Sequence, residues 1–524
     1  MQEFKSPVSR LARLFQKGRN IWKEKALEKQ KKVRALEIKV RDLSESRENW
    51  KERALAAEAE IKKQKLGGKI EEKKEGVPTE ETNLEENKYS EELNIKGHTY
   101  DAKTIQQALE LLVDCGISLR AAEKVFELFN YESKINPSFS GIRKWLGRIG
   151  TYELTREKEY RDDWIFIVDF TLELGKQKAL VVLGVSQQYL VEEVIAKGRC
   201  LSHEDVELLG LEIMSSTKGE IILTKLNKIS EEVGVPIQIV ADHGSDLARG
   251  IKLYQENNPG IIYTHDVTHG MALLLKYQLD KDEKYQSFIQ KCHICRQKLQ
   301  QTELFFLAPP SQRSQCRFFN VERLTNWGIK LLESPVETLI KLMPEVEMEE
   351  AIIYEKIIDK LGWLGDYKAD LIRWNQMVIM TRSLETQLKQ LGLNSQSLEY
   401  FQQNKFELMN GSLQDFQQQI FDYLTNQCSQ IKHKETFLAT SDVIESLFGK
   451  YKQFSARCPV KEMGQMLLTI CLSTMNLTTS VIKNALETIS FADVEKWLSE
   501  VFGQSTLSKR RTLFSANIDD TETA

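Results

Sequence analysis

Trp164-Ile165-Phe166-Ile167-Val168-Asp169 is an unbroken apolar run that stops at a carboxylate. Its apolar residues are all aromatic or β-branched, and a run without polar alternation reads as a strand buried on both faces. A second run, Pro236-Ile237-Gln238-Ile239-Val240-Ala241-Asp242, ends the same way. Gly244 permits a tight turn beyond it, and a helix over Asp246–Tyr254 and a short strand over Gly260–Thr264 follow. Around the first run, Trp164–Leu174, Ala179–Val185 and Tyr189–Ala196 read as three consecutive strands. Gly219–Val233 reads as a helix with Ile221, Ile222, Leu226 and Ile229 on one face. Three strands, helix, strand, helix, strand describes a meander feeding αβ units, hence a mixed sheet covered by helices.

The remaining sequence is organised around that sheet. Residues 1–66 carry 19 Lys/Arg against 10 Asp/Glu, whereas residues 71–92 carry 9 acidic against 3 basic residues. Val33, Leu36, Val40, Leu43, Trp50, Ala54, Ala57 and Ile61 recur at heptad spacing, interrupted by Arg47, so residues 1–66 read as a basic helix with a coiled coil. The polar, acidic residues 67–96 read as a flexible linker. Residues 97–152 hold three helical segments, the last beginning near Phe139 and carrying Arg143, Lys144 and Arg148 beside Trp145. A basic third helix fits a helix-turn-helix module, and a packing subdomain is the other reading. Residues 160–275 form the first part of the sheet domain. Residues 276–438 lose the strand pattern and read as an all-helical insertion, residues 439–503 as the last helices of the core, and residues 504–524 as disordered. The fold class expected is therefore multidomain α+β.

Composition narrows the classes. The chain has 524 residues, enough for several domains. No run of 18 or more apolar residues occurs, so a membrane span is not expected. Met1 to Pro7 lacks the apolar segment of a secretory signal. Eight scattered cysteines read as reduced thiols, and a cytoplasmic setting is the expectation. No phosphate-binding Gly-rich loop of the P-loop kind is present, which argues against ATP chemistry.

The chemistry-bearing residues are acidic. Asp169 and Asp242 close strands, and Glu445 sits in the helical segment Ser441-Asp442-Val443-Ile444-Glu445-Ser446-Leu447-Phe448-Gly449-Lys450. Two strand-end carboxylates and one helical carboxylate can hold a pair of divalent ions, which clamp the attacking and leaving oxygens of a phosphodiester displacement. Magnesium suits such oxygen ligands, and manganese can replace it. Asp442, three residues before Glu445, is the rival ligand. Asp266-Val267-Thr268-His269 follows the last strand, where His269 can orient Asp266 or meet a phosphate, and a capping pair is the plainer reading. Cys292-His293-Ile294-Cys295 lacks a second closely spaced pair for a structural zinc site. His243, Trp327, Lys450 and Lys452 are candidate nucleic-acid contacts, as are Arg249, Lys252 and Arg317, although each is equally an ordinary surface or core residue.

This strand order, with Asp169 on the first strand, Asp242 after the fourth and Glu445 on a late helix, resembles the ribonuclease-H-like core of the DDE transposases of bacterial insertion sequences. The Asp-x-x-His segment resembles the Cys/Asp-x-x-His signature of several cut-and-paste transposase superfamilies, whose cores are also interrupted by a helical insertion. The resemblance implies two magnesium ions, with Asp169 bridging and Asp242 and Glu445 each holding one. It implies double-stranded DNA partners (terminal inverted repeats and target DNA), a homodimer or higher homo-oligomer, and a place at the bacterial nucleoid. It further implies cleavage of transposon ends and joining of the 3′-hydroxyl to target DNA. A ribonuclease-H-like nuclease that cuts without joining, and a catalytically decayed DNA-binding relic, are the alternatives.

Overall fold

Burial on both faces of one nine-residue strand organises the molecule. In the computed structural model, which describes residues 94–129, 135–172, 177–311, 321–343, 349–403, 412–432, 435–457 and 464–515, strand β1 spans Trp164–Leu172. Ile165 and Ile167 face one hydrophobic cluster, and Trp164, Phe166 and Val168 face another. All five are essentially removed from water. Each such side chain contributes about 1.5–3 kcal/mol on burial, enough to fix the register of the strand.

Among the described residues, three helices precede the sheet: α1 (Ala102–Val113), α2 (Leu119–Phe129) and α3 (Phe139–Thr155). After β1 come β2 (Lys178–Ser186), β3 (Glu207–Met214), α4 (Gly219–Val233), β4 (Gln238–Ala241), α5 (Ser245–Asn257) and β5 (Ile262–His265). The five strands lie in the order β3-β2-β1-β4-β5. β1 pairs antiparallel with β2, and β2 with β3, whereas β1–β4 and β4–β5 are parallel. This mixed sheet is consistent with a ribonuclease-H-like core.

Two expectations for this region change. Tyr189–Ala196 is helical, as a short α-turn over Gln187–Tyr189 and a π-helix over Leu190–Ile195. Ser186 caps it by accepting from Tyr189 N, and only Leu190 and Val194, four residues apart, are buried. The third strand is instead Glu207–Met214. Gly210 belongs there because a Cβ would meet Ile229 Cδ1 at 2.4 Å. The other change concerns Asp169, which does not end its strand: β1 runs on against β2, while its parallel pairing with β4 stops at Val168. Gly234, at φ +102°, turns α4 into the approach to β4, where a Cβ would meet Arg161 O at 2.0 Å.

The helical insertion follows. Helix α6 (Val267–Asp280) leads into it from the sheet, and it comprises α7 (Glu283–Leu299), α8 (Val321–Glu333), α9 (Val336–Lys341), α10 (Glu350–Leu361), α11 (Lys368–Leu391), α12 (Ser397–Gln402) and α13 (Ser412–Cys428). It has its own core around Tyr285, Phe288 and Trp374. Beyond the expected helices, a two-residue strand β6 (Leu393–Asn394) pairs with β7 (Thr436–Phe437). The chain then enters α14 (Asp442–Ser455), α15 (Thr469–Ser473), α16 (Thr479–Thr488), α17 (Phe491–Phe502) and α18 (Thr506–Ser515). Residues 506–515, expected to be disordered, are thus helical. The coiled coil and most of the linker lie outside the described residues. No helix among the described residues is long and apolar enough to cross a membrane.

Candidate active site

Parallel pairing aligns three carboxylates. The β1–β4 ladder ends at Val168 opposite Ala241, and the β4–β5 ladder ends at Ala241 opposite His265. Asp169, Asp242 and Asp266 therefore occupy the next row of three adjacent strands, and Asp266 N still donates to Ala241 O at 3.1 Å. Side chains alternate along a strand, so Asp169 shares the face of Ile165 and Ile167. Val443, Ile444, Leu447 and Phe448 of α14 pack in the cluster on that face. Glu445 lies on the first turn of this same helix.

Charge is concentrated there. Asp169 is half-buried, and its Oδ1 accepts from Phe170 N at 2.6 Å. Burial, and then the Asp242 and Glu445 carboxylates, push its carboxyl up to about 7. Asp242 Oδ1 accepts from Gly244 N at 3.0 Å, which fixes the turn after β4. Asp266 is buried and caps α6. Its Oδ2 accepts from His269 N at 2.7 Å and from His269 Nδ1 at 2.9 Å, and its Oδ1 accepts from Ser441 N at 2.7 Å. Burial opposes ionisation of Asp266, but these hydrogen bonds outweigh it and hold the carboxyl below its ordinary value. The bond to Ser441 and the one from Val267 N to Ala439 O, 2.9 Å, bring the start of α14 beside the start of α6.

His269 joins the two helices. Its Nδ1 is 3.1 Å from Glu445 Oε1. The Asp266 hydrogen bond raises its pKa most, the Glu445 charge adds to this against burial, and the result is about 9. Glu445 itself is raised by burial, with His269 opposing. Its Oε1 is buried and has no hydrogen-bond partner despite the ion-pair contact. Among the described residues, Asp266, His269 and Glu445 form a group whose ligand atoms lie within 4.8 Å of one another and could hold a metal ion. Asp169 and Asp242 stand outside this group, but Asp169 lies within electrostatic reach of Glu445 and His269, and Asp242 within reach of His269.

Asp442 is directed elsewhere. Its Oδ2 pairs with Lys389 Nζ of α11 at 2.6 Å, and its Oδ1 accepts from Thr268 Oγ1 at 3.0 Å. Sequence reading missed Lys389. It also missed Tyr423 and Gln427 of α13, which bind His265: Tyr423 OH donates to its carbonyl at 3.1 Å, and Gln427 Oε1 accepts from its N–H at 2.9 Å. Such links span 158 and 162 residues and carry no local signal.

The other candidates are dispersed. Arg143 Nε donates to Gln465 Oε1 at 2.9 Å, Lys144 lies over the Phe491 ring, and Arg148 donates to the carbonyls of Ile489 and Leu486. The basic side of α3 is thus turned toward the C-terminal helices. Trp327 donates to Leu307 O at 3.0 Å, inside the insertion. Trp363 donates to Lys360 O and Trp374 to Asp282 Oδ2. Cys292 and Cys295 are buried on α7, and burial raises both thiols. His243 is exposed beside His265, Lys450 lies 3.8 Å from Asp114, Lys452 is exposed, and Arg249 pairs with Glu220. Arg317 lies outside the described residues.

No family model matches the chain, and no curated protein matches it. Among solved structures it is similar to the Drosophila P element transposase strand transfer complex, with a TM-score of 0.37 and 11% sequence identity over 76% of this chain and 100% of that one.

Proposed function

We propose that this chain is a DNA transposase of the DDE type, whose Asp169, Asp242 and Glu445 hold two divalent cations and perform phosphoryl transfer. The observation that carries this reading is the electrostatic coupling of Asp169, just past the end of the β1–β4 pairing, to both Asp242 and Glu445, with the Asp169 carboxyl driven to about 7 by burial and by these acidic neighbours. A donor set of hard oxygens with too little positive charge fits magnesium or manganese. The buried, hydrogen-bond-free Glu445 Oε1 fits it as well, because such an atom is costly to leave unpaired. Bound there, divalent ions would polarise the scissile phosphate and stabilise charge on the attacking and leaving oxygens.

The Asp266–His269–Glu445 group is a second place for a cation. There a protonated His269 already supplies positive charge between two carboxylates. That favours His269 as an orienting group and leaves Asp169 and Asp242 as the pair in need of a counter-ion. The chain's own work is then clear. Asp266 fixes the His269 ring, His269 steers Glu445, and the parallel ladder sets Asp169 beside Asp242.

End cleavage followed by joining distinguishes a transposase from a nuclease that only cuts. The test is incubation of pre-cut terminal-repeat duplexes with a target plasmid and magnesium. Covalent joining supports the reading, and cleavage of uncut ends with no joining of pre-cut ones favours the nuclease.

A further inference from the structure

The starts of α6 and α14 are bridged twice. Thr268 Oγ1 meets Asp442 Oδ1 at 3.0 Å, and His269 Nδ1 meets Glu445 Oε1 at 3.1 Å. Asp442 and Glu445 are three residues apart on one helix, so whatever holds Asp442 sets the rotation of the turn that presents Glu445. What holds Asp442 comes from the insertion: Lys389 Nζ, 2.6 Å away on a side chain only 20% exposed. Lys389 is itself anchored. Three residues later Gly392 ends α11 at φ +69°, where a Cβ would meet Thr436 Cγ2 at 2.6 Å. The chain then pairs Leu393 with Phe437, a few residues before α14 begins. The end of α11 and the approach to α14 are thus one fixed unit. Lys389 also offsets two acidic neighbours, since its charge reaches both Glu445 and Glu385.

Resting on the divalent-cation reading above, we infer that Lys389 is a positioning residue for Glu445, acting through Asp442 and Thr268. The insertion is in this view part of the catalytic apparatus, because it supplies the cation that fixes the α14 first turn. Asp442 acts as the relay and is not itself a metal ligand.

The test is calorimetric titration of Mn²⁺ into the full-length wild type, Lys389→Ala, Lys389→Arg, Asp442→Asn and the double variant Lys389→Ala/Asp442→Asn, each with its thermal midpoint recorded. Partners one shell out from a metal ligand typically cost about 10- to 100-fold in affinity when removed. A weakening of that size is expected for Lys389→Ala and for Asp442→Asn. The double variant is expected to bind no more weakly than the worse single one, and Lys389→Arg to recover most of the affinity. Wild-type Mn²⁺ affinity in Lys389→Ala with weakened duplex binding would make Lys389 a direct phosphate contact and overturn the inference alone. Additive losses in the double variant would also overturn it. If the wild type bound no Mn²⁺, the cation reading would fall and the inference with it. Should Lys389→Ala not fold, a Lys389→Arg protein with wild-type affinity and a weakened Asp442→Asn still supports the relay, and an unweakened Asp442→Asn refutes it.

Discussion

His269 Nδ1 stands 2.9 Å from Asp266 Oδ2 and 3.1 Å from Glu445 Oε1, so one ring nitrogen serves two carboxylates from different helices. The bond to Asp266 uses its proton, and Glu445 is held by charge alone. Glu445 is consequently tethered to the site without being consumed by it.

Glu445→Gln removes the charge but keeps the shape. Endonuclease activity is expected to fall by at least about 100- to 1000-fold, the scale of losing one electrostatic stabiliser of the transition state. Because Glu445 Oε1 makes no hydrogen bond, the thermal midpoint should be unchanged or slightly higher. Kinetics on a terminal-repeat duplex together with a thermal melt check both halves.

Asp266→Ala acts the opposite way. It strips partners from the buried Ser441 N and from the part-buried His269 N and His269 Nδ1. An abandoned buried donor costs about 1–3 kcal/mol and a part-buried one less, so a loss of roughly 3 kcal/mol is expected, along with any ordering of α14 against α6. Urea unfolding measures it, and a loss below about 1 kcal/mol would mean that the cross-link is not holding the helices.

Gly270 packs against the insertion, where a Cβ would meet Tyr423 Cε2 at 2.7 Å. Gly270→Ala should displace the Tyr423 ring and its hydrogen bond to His265 O, at about 1–3 kcal/mol. Gly365→Ala, which has no atom within 4 Å of the added Cβ and no positive φ, is the control for substitution at glycine.

Stability of the metal-free protein should depend on pH with a definite sign. His269 is raised from 6.5 to about 9 by Asp266, so its contribution is complete below 6.5 and is lost as pH rises through 9. His98, His203 and His243 are lowered by burial, and His265 falls to about 3 for the same cause. Folding therefore gains from these four as pH rises toward 6.5. Asp169, raised to about 7, opposes them over part of that lower range. Between pH 6.5 and 9 the metal-free midpoint should fall, and His269→Gln should flatten this limb. A wild-type midpoint that climbs across that window would contradict the His269 assignment.

The legible part of the fold was its fully buried part. β1 and β4 could be read because their apolar runs, Trp164–Val168 and Ile239–Ala241, are unbroken, and Gly219–Val233 because its apolar stripe is regular. Glu207–Met214 escaped because Leu-Leu-Gly-Leu is poor in β-branched residues, and it is a strand because β2 needs a second partner. Tyr189–Ala196 misled in the reverse sense. Its Val and Ile favour a strand in isolation, and tertiary burial of only Leu190 and Val194 selects the helix. At the site, Asp169, Asp242, Asp266 and His269 were visible as local patterns. What set Glu445 apart from Asp442 was not, since it depends on Lys389, distant in sequence and brought close only by folding of the insertion.

The most direct test of the central claim is cleavage of a duplex carrying the element's own terminal repeat, in magnesium, by wild type, Asp169→Asn, Glu445→Gln and Asp442→Asn, each verified as folded. Cleavage by the wild type is expected, with none by Asp169→Asn or Glu445→Gln at any magnesium concentration, and partial recovery of Asp442→Asn at high magnesium. Wild-type cleavage that persists in chelator, or a Glu445→Gln protein that cuts as fast as the wild type, would contradict it.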